Sequence, residues 1–253
     1  MNIDLTGKVA LVTGGSRGLG RKISLGLAKA GADVVVASRK LDSCERVCDD
    51  IRAMGRNALA VSAHLGDTAS LDNLITKTID TMGRVDILIN NAGINPAMGT
   101  LSDLSPELFD KMYAVNLKGP WYLASRLAPK MASAGGGNIV NIISVSGLKP
   151  AAYQGFYSTM KAGLNAMTKV MAIEWADQHI RVNALAPGSY HSDLFDSTAS
   201  AIPGFEDGAA AACLQKRIAE TEEIVGPILF LVSDMGSYTT GATLVADGGY
   251  LAQ

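Results

Sequence analysis

Tyr157 and Lys161 stand four residues apart in Tyr157-Ser158-Thr159-Met160-Lys161, a spacing that on a helix puts a phenol and an ammonium on one face. A phenol titrates near 10, too high for easy proton exchange at neutral pH, but a neighbouring cation lowers such a value by about 1–3 units. Thirteen residues before the tyrosine, Ser144 follows the apolar run Asn141-Ile142-Ile143. If that run is a strand of a parallel sheet, its C-terminal end lines the ligand crevice and carries the Ser144 hydroxyl there. Ser146 reads as a loop hydroxyl. A hydroxyl, a phenol and an ammonium brought to one point can hold an oxygen and move one proton to or from it.

A second constellation lies near the N-terminus. Val9 to Val12 reads as a strand and runs into Thr13-Gly14-Gly15-Ser16-Arg17-Gly18-Leu19-Gly20, followed by a helix. Positions without side chains let backbone approach a pyrophosphate, whose charge meets the N–H groups of the helix N-terminus. The spacing is T-G-x-x-x-G-x-G rather than G-x-G-x-x-G. In dinucleotide sites an acid ending the second strand holds the ribose 2′-hydroxyl, whereas a cation there accommodates a 2′-phosphate. Here that strand ends Ala37-Ser38-Arg39-Lys40, without an acid. Asp33 stands at its other end, where it suits the turn after Gly31. Arg17, in the glycine turn, is near enough to help, and paired guanidinium groups suit a phosphate dianion. The expected cofactor is NADP(H) in preference to NAD(H).

These residues need a scaffold, and the patterning supplies one. Strand-like runs at Val9 to Val12, Asp33 to Ala37, Ala58 to Ala63, Asp86 to Asn90, Asn138 to Ile143, Ile180 to Ala186 and Thr243 to Ala246 alternate with helical stretches. The helices read as Gly18 to Ala30, Leu41 to Met54, Thr68 to Met82, Pro106 to Ala134, Ala151 to Gln178 and Glu222 to Ser233, with a break or kink expected at Gly119-Pro120. Apolar runs separated by helices imply an α/β fold: one domain, a doubly wound parallel sheet of about seven strands with helices on both faces. Ser189 to Ala212 is too long for an ordinary connection and reads as a substrate lid.

Composition narrows the function further. Of 253 residues, 48% are hydrophobic and 18% charged, which excludes a disordered chain. With 22 Lys and Arg against 24 Asp and Glu the net charge is -2, so no basic excess suits nucleic acid. No apolar run approaches the roughly 20 residues of a membrane span, and the N-terminal residues do not read as a signal peptide; a cytoplasmic protein is expected. Three Cys build neither a disulfide framework nor a metal ligand set. No metal is expected, His191 included.

The glycine turn, Asn90-Asn91-Ala92-Gly93 after the fourth strand, Ser144, Tyr157 and Lys161, taken in this order, resemble the short-chain dehydrogenase/reductase family over nearly the whole chain. The resemblance implies that Tyr157 is the acid in carbonyl reduction and the base in alcohol oxidation, and that Ser144 hydrogen-bonds the same oxygen. Lys161 then lowers the phenol pKa and binds the nicotinamide ribose, and Asn116 holds a water linked to that lysine. Asn90, Asn91, Ala92 and Gly93 support the sheet and the adenosine ribose, and Pro187-Gly188 is the nicotinamide-side turn. Ser192 stands where the family often has a threonine holding the carboxamide. His64, beside Leu65 on the adenine side, departs from the family's usual aspartate. The resemblance also implies a homotetramer.

Asn95, Pro96, Leu148, Tyr153, Gln154, Tyr190 and Phe195 are candidate substrate walls, with Met98 close by, and their character leans towards an apolar carbonyl. An NADP(H)-dependent carbonyl reductase is the leading reading. Its rivals are a 3-oxoacyl-thioester reductase that docks a carrier protein, an NAD(H)-dependent hydroxysteroid or sugar-alcohol dehydrogenase, and a nucleotide-binding sensor or scaffold without turnover.

Overall fold

The computed structural model describes residues 3–253. The first half of the chain forms β1 (Val9–Thr13), α1 (Gly18–Lys29), β2 (Asp33–Ser38), α2 (Leu41–Ala53), β3 (Ala58–Ser62), α3 (Thr68–Met82) and β4 (Ile87–Asn90). The second half adds α4 (Pro106–Tyr113), α5 (Gly119–Ser133), β5 (Gly137–Ile142), α6 (Gly155–Trp175), β6 (Ile180–Pro187), α7 (Asp193–Ala201), α8 (Phe205–Ala211), α9 (Val225–Val232) and β7 (Thr243–Ala246). All seven strands are parallel, in the order β3-β2-β1-β4-β5-β6-β7.

The continuous apolar strands are buried on both faces, as a doubly covered sheet demands. Ala10, Val12, Val34, Val36 and Ile89 pack towards Ile23 and Leu27 of α1, Val47 and Ile51 of α2, and Ile228 and Leu231 of α9. Their alternates Val9, Leu11, Val35, Ala37 and Leu88 pack towards Leu71 and Leu74 of α3, Leu123 and Leu127 of α5, and Met171 of α6. Strand succession reverses between β1 and β4, so the connections after these strands diverge and leave a crevice at their C-terminal ends.

One expectation gains a specific form and two change. The interruption expected at Gly119-Pro120 takes the form of a π turn, Ala114–Lys118, between α4 and α5. Gly119 keeps helical dihedrals, and a Cβ there would lie 2.5 Å from the Leu65 carbonyl oxygen, so the glycine serves close packing. The helix expected from Ala151 starts at Gly155 because Tyr153 takes a left-handed φ of 65°. The segment expected as a loop between Ser189 and Ala212 contains α7 and α8, the former capped by Ser192, whose hydroxyl accepts from the Phe195 N–H at 3.4 Å.

Asp33 is also not engaged where expected. It receives Arg56 at 2.9 Å and the Asn57 N–H at 2.9 Å, joining the start of β2 to the α2–β3 turn. Its distance from the C-terminal strand ends agrees with its exclusion from the ribose site. No helix among the described residues is long and apolar enough to cross a membrane.

At the N-terminal edge of the sheet, buried Asp86 accepts from the Val9 N–H at 2.9 Å and from Arg84 Nε at 2.9 Å. Removing the carboxylate leaves a strand N–H without its acceptor and Arg84 without its partner. Asp86→Ala should therefore lower unfolding stability by about 2–3 kcal/mol, measured by urea denaturation.

Candidate active site

The glycine turn is held from β4. Thr13, fully buried, accepts at Oγ1 from the N–H groups of Asn91 (3.1 Å) and Ala92 (3.2 Å) and donates to the Ile89 carbonyl (3.2 Å). Asn91 Nδ2 donates to the Thr13 carbonyl at 2.9 Å. The Asn91 side chain thus braces the turn. Gly14 and Gly18 take φ of +64° and +49°, in the left-handed region that an L side chain resists. No side chain caps α1, so its first N–H groups face the crevice beside Ser16, Arg17 and Leu19. Gly20 packs against the Gly14 carbonyl, where a Cβ would collide.

Arg39 and Lys40 follow β2 on the exposed surface. The Ser62 hydroxyl donates to the Arg39 carbonyl at 3.0 Å, which fixes the backbone while leaving the guanidinium in solvent. Ser38 Oγ lies 3.1 Å from Cys44 Sγ. His64 is exposed, and its Nδ1 accepts from the Gly66 N–H at 3.2 Å. That bond closes a local turn and leaves Nε2 as the outward nitrogen. Leu65 is buried, its carbonyl packed against Gly119.

Ser144 ends the β5 connection in extended geometry (φ -164°), and its Oγ accepts from the Ser146 N–H at 3.1 Å. With that lone pair occupied, the hydroxyl proton is free to turn towards Tyr157, whose phenol pKa the Ser144 side chain pulls downwards. Lys161, one turn along α6, is 3% exposed, and its Nζ donates to the Ile142 carbonyl at 2.8 Å. Nζ lies 5.7 Å from the centroid of the Tyr157 ring.

Burial dominates the electrostatics of this cluster in the protein alone. Burial pushes the Tyr157 phenol above its ordinary value, against the smaller downward pull of Ser144. Burial also lowers Lys161 to about 8. In the protein alone the net shift of the phenol is upward, with Nζ directed at a main-chain carbonyl and both groups desolvated together.

Asn116 lies fully buried inside the π turn, its Oδ1 accepting from the Ile94 N–H and its Nδ2 donating to the Ile94 carbonyl, both at 2.8 Å. The Asn116 amide is thus engaged on both sides by one main-chain unit. Pro120 offers no N–H to the carbonyl four residues back, which is that of Asn116. Gly93 has a role that sequence reasoning missed: a Cβ there would sit 3.1 Å from Asn116 Oδ1 and 3.3 Å from Lys161 Nζ. Gly147 was missed too, since a Cβ would meet the Lys161 backbone at 2.8 Å. Beneath them, Asn90 Nδ2 donates to Asn141 Oδ1 and Asn141 Nδ2 to Thr168 Oγ1, each at 2.9 Å, a buried chain linking β4, β5 and α6. Its one visible signal is the asparagine interrupting each apolar run.

Pro187 ends β6, and Gly188 N donates to the Ala246 carbonyl at 3.0 Å. Gly18 and Ser192 face each other across the crevice, with a Cβ on Gly18 coming 3.9 Å from Ser192 Cβ. Tyr190, expected as a substrate wall, is buried in the core, where burial raises its phenol to about 12. Leu148, Tyr153 and Met98 are exposed at the rim. A cleft of about 600 Å³ at the opposite end of the sheet, lined by Lys8, Asp86, His179 and Tyr238 among others, contains none of the candidate residues. Two glycines of positive φ ahead of an uncapped helix, and a buried ammonium with one carbonyl partner, fit a phosphate-bearing dinucleotide with ribose hydroxyls.

The family model for short chain dehydrogenase matches residues 8–202. Dehydrogenase/reductase SDR family member 4 of Bos taurus is 37% identical over 248 residues, covering 98% of this chain and 88% of that protein. L-rhamnose 1-dehydrogenase (NAD(P)(+)) of Sphingomonas sp. (strain SKA58) is 35% identical over 247 residues, covering 97% and 96%. Among solved structures, L-sorbose reductase of Gluconobacter frateurii, complexed with NADPH and L-sorbose, superposes with a TM-score of 0.96 at 29% identity over all of both chains. With its parallel sheet, glycine turn and Ser144-Tyr157-Lys161 cluster in these positions, the chain belongs to the short-chain dehydrogenase family.

Proposed function

We propose that this oxidoreductase moves a hydride between NADP(H) and a carbonyl or secondary alcohol, with Tyr157 as acid or base. The observation that carries the reading is the linked arrangement of Ser146 N–H, Ser144 Oγ and Tyr157, with buried Lys161 beside the ring. The nicotinamide dinucleotide, when bound, supplies or accepts the hydride. Ser144 donates to the substrate oxygen while Tyr157 delivers or removes the proton there. Of the three Lys161 N–H donors one is used by Ile142, and two remain for ribose hydroxyls. A lysine titrating near 8 is mostly an ammonium at pH 7. Asn116 contributes a water link to Lys161 through its backbone carbonyl, since its amide is committed to Ile94.

Gly14, Ser16, Gly18, Leu19 and Gly20 hold the pyrophosphate, and Arg17, Ser38, Arg39 and Lys40 the 2′-phosphate end. Ala92, Gly93, His64 and Leu65 flank the adenosine, and Pro187, Gly188 and Ser192 the nicotinamide. Support for NADP(H) comes from the two cations after β2 and from the NADPH bound by the L-sorbose reductase. The α7–α8 segment acts as a lid, with Phe195 and Phe205 rings 5.4 Å apart and His191 3.5 Å from Asp196. Exposed Trp121, Val170 and Ile173 on α5 and α6 supply the apolar surface for a homotetramer.

Tyr157→Phe should fold and bind NADPH while losing at least about 10²-fold in kcat, read from NADPH absorbance with a carbonyl panel. Removing both cations in Arg39→Ala/Lys40→Ala should raise the KM for NADPH about tenfold or more and leave that for NADH within about twofold. The pH dependence follows from the raised Tyr157 value. Reduction needs the protonated phenol, so its rate holds through neutrality and falls only in alkali. Oxidation needs the phenolate and climbs over the same range. Opposite slopes in the two directions are the expected result, and parallel profiles would remove Tyr157 from the proton step.

A further inference from the structure

We propose that Gln154, oriented by Ser146, reads a second, uncharged oxygen on the substrate, so that hydroxylated carbonyls and their diol counterparts are preferred over plain ones. This deepens the hydride-transfer reading and rests on it. Ser146 Oγ lies 2.7 Å from Gln154 Oε1. The same Ser146 gives its N–H to Ser144 Oγ. Gln154 is therefore tied by one intervening residue to the hydroxyl that holds the reacting oxygen. Although Gln154 occupies the N-cap of α6, its side chain does not cap the helix. Its Nε2 has no acceptor among the described residues.

The local backbone holds this carboxamide in place. Tyr153, just before it, keeps a left-handed φ of 65° with an exposed side chain that gains nothing from burial. Such a conformation persists only where the surroundings impose it. The Gly99 N–H donates to the Tyr153 carbonyl at 3.2 Å, and Gly99 pairs with Gln154 as an isolated parallel bridge. Leu101 packs on Gly155, where a Cβ would collide. The connection between β4 and α4 thus clamps the residues that present Gln154.

The ligand chemistry follows from the donors. A carboxylate would call for a cation, yet Lys149, at this rim, donates to the Gln253 carbonyl at 2.9 Å and lies 5.0 Å over the Tyr250 ring. A hydroxyl both donates and accepts, and so satisfies either orientation of the amide. This sets a polar contact among rim residues that sequence reasoning took as leaning apolar.

The test uses two near-isosteric pairs with purified enzyme: hydroxyacetone against butanone with NADPH, and trans-cyclohexane-1,2-diol against cyclohexanol with NADP⁺. Wild type should favour the hydroxylated member of each pair. In Gln154→Leu the ratio of kcat/KM values within a pair should fall about tenfold, the worth of one neutral hydrogen bond. Ser146→Ala, a smaller change that keeps the N–H on Ser144, should lower the ratio in the same direction. Equal kcat/KM for both members in wild type, ratios unchanged in both variants, or pyruvate preferred to hydroxyacetone would each overturn the assignment to Gln154 while leaving hydride transfer intact. If wild type turns over none of these compounds with either cofactor, the hydride-transfer reading falls and takes this one with it.

Discussion

An ammonium taken out of water controls the architecture of the crevice. Lys161 donates to the Ile142 carbonyl at 2.8 Å and has no carboxylate against it among the described residues. Burying such a charge is costly, and its fall to about 8 expresses that cost. The surroundings are fitted around it: Gly93 leaves room for Nζ, Gly147 lets the turn after Ser144 approach the α6 backbone, and Asn116 is tied to Ile94 on the far side. A side chain at Gly147 would meet the α6 backbone, and one at Gly93 would crowd the ends of Asn116 and Lys161. The position of Tyr157 is thus tied to the packing around the lysine.

The sheet makes that packing possible. Ser144, Asn91 and Gly188 follow different strands, yet parallel pairing brings all of them to one edge. The reversal between β1 and β4 sets the glycine turn directly beside the chain leaving β4, and Thr13 and Asn91 stitch the two together. Asp86 does the complementary work at the opposite edge, where it fixes the start of β1 by accepting from Val9. One end of the sheet is locked by a charge pair and the other is left open with donors exposed, an asymmetry suited to a rigid frame carrying a ligand site.

The alternation of apolar runs and helices was legible because strands covered on both faces must be apolar throughout, and each boundary fell within a few residues. The glycine turn and the Tyr157–Lys161 spacing were legible for a similar reason, since each is a local pattern. What escaped the sequence is non-local. Nothing near Gly93 or Gly147 reveals that Lys161 will pass beside them, and Tyr190 looked like a crevice residue until β6 carried it into the core. An interruption at Gly119-Pro120 was legible because the proline's missing donor is visible in sequence, whereas its form as a π turn and the contact of Gly119 with the Leu65 carbonyl are not. His64 and Asn116 are each engaged by a backbone group close to them in space, contacts that no local pattern shows.

The raised phenol and the lowered ammonium bear on direction as well as on rate. Neutral forms are what a desolvated site prefers, and a neutral phenol is a proton donor. In the proposed mechanism this suits Tyr157 to give a proton to a developing alkoxide, the reductive half of the chemistry. Running the reaction the other way requires the phenolate, and the residues nearest to it offer the Ser144 hydroxyl and a lysine turned towards Ile142. In the proposed mechanism the added positive charge that holds a phenolate comes with the oxidised nicotinamide bound beside Lys161, which couples proton release from Tyr157 to cofactor binding.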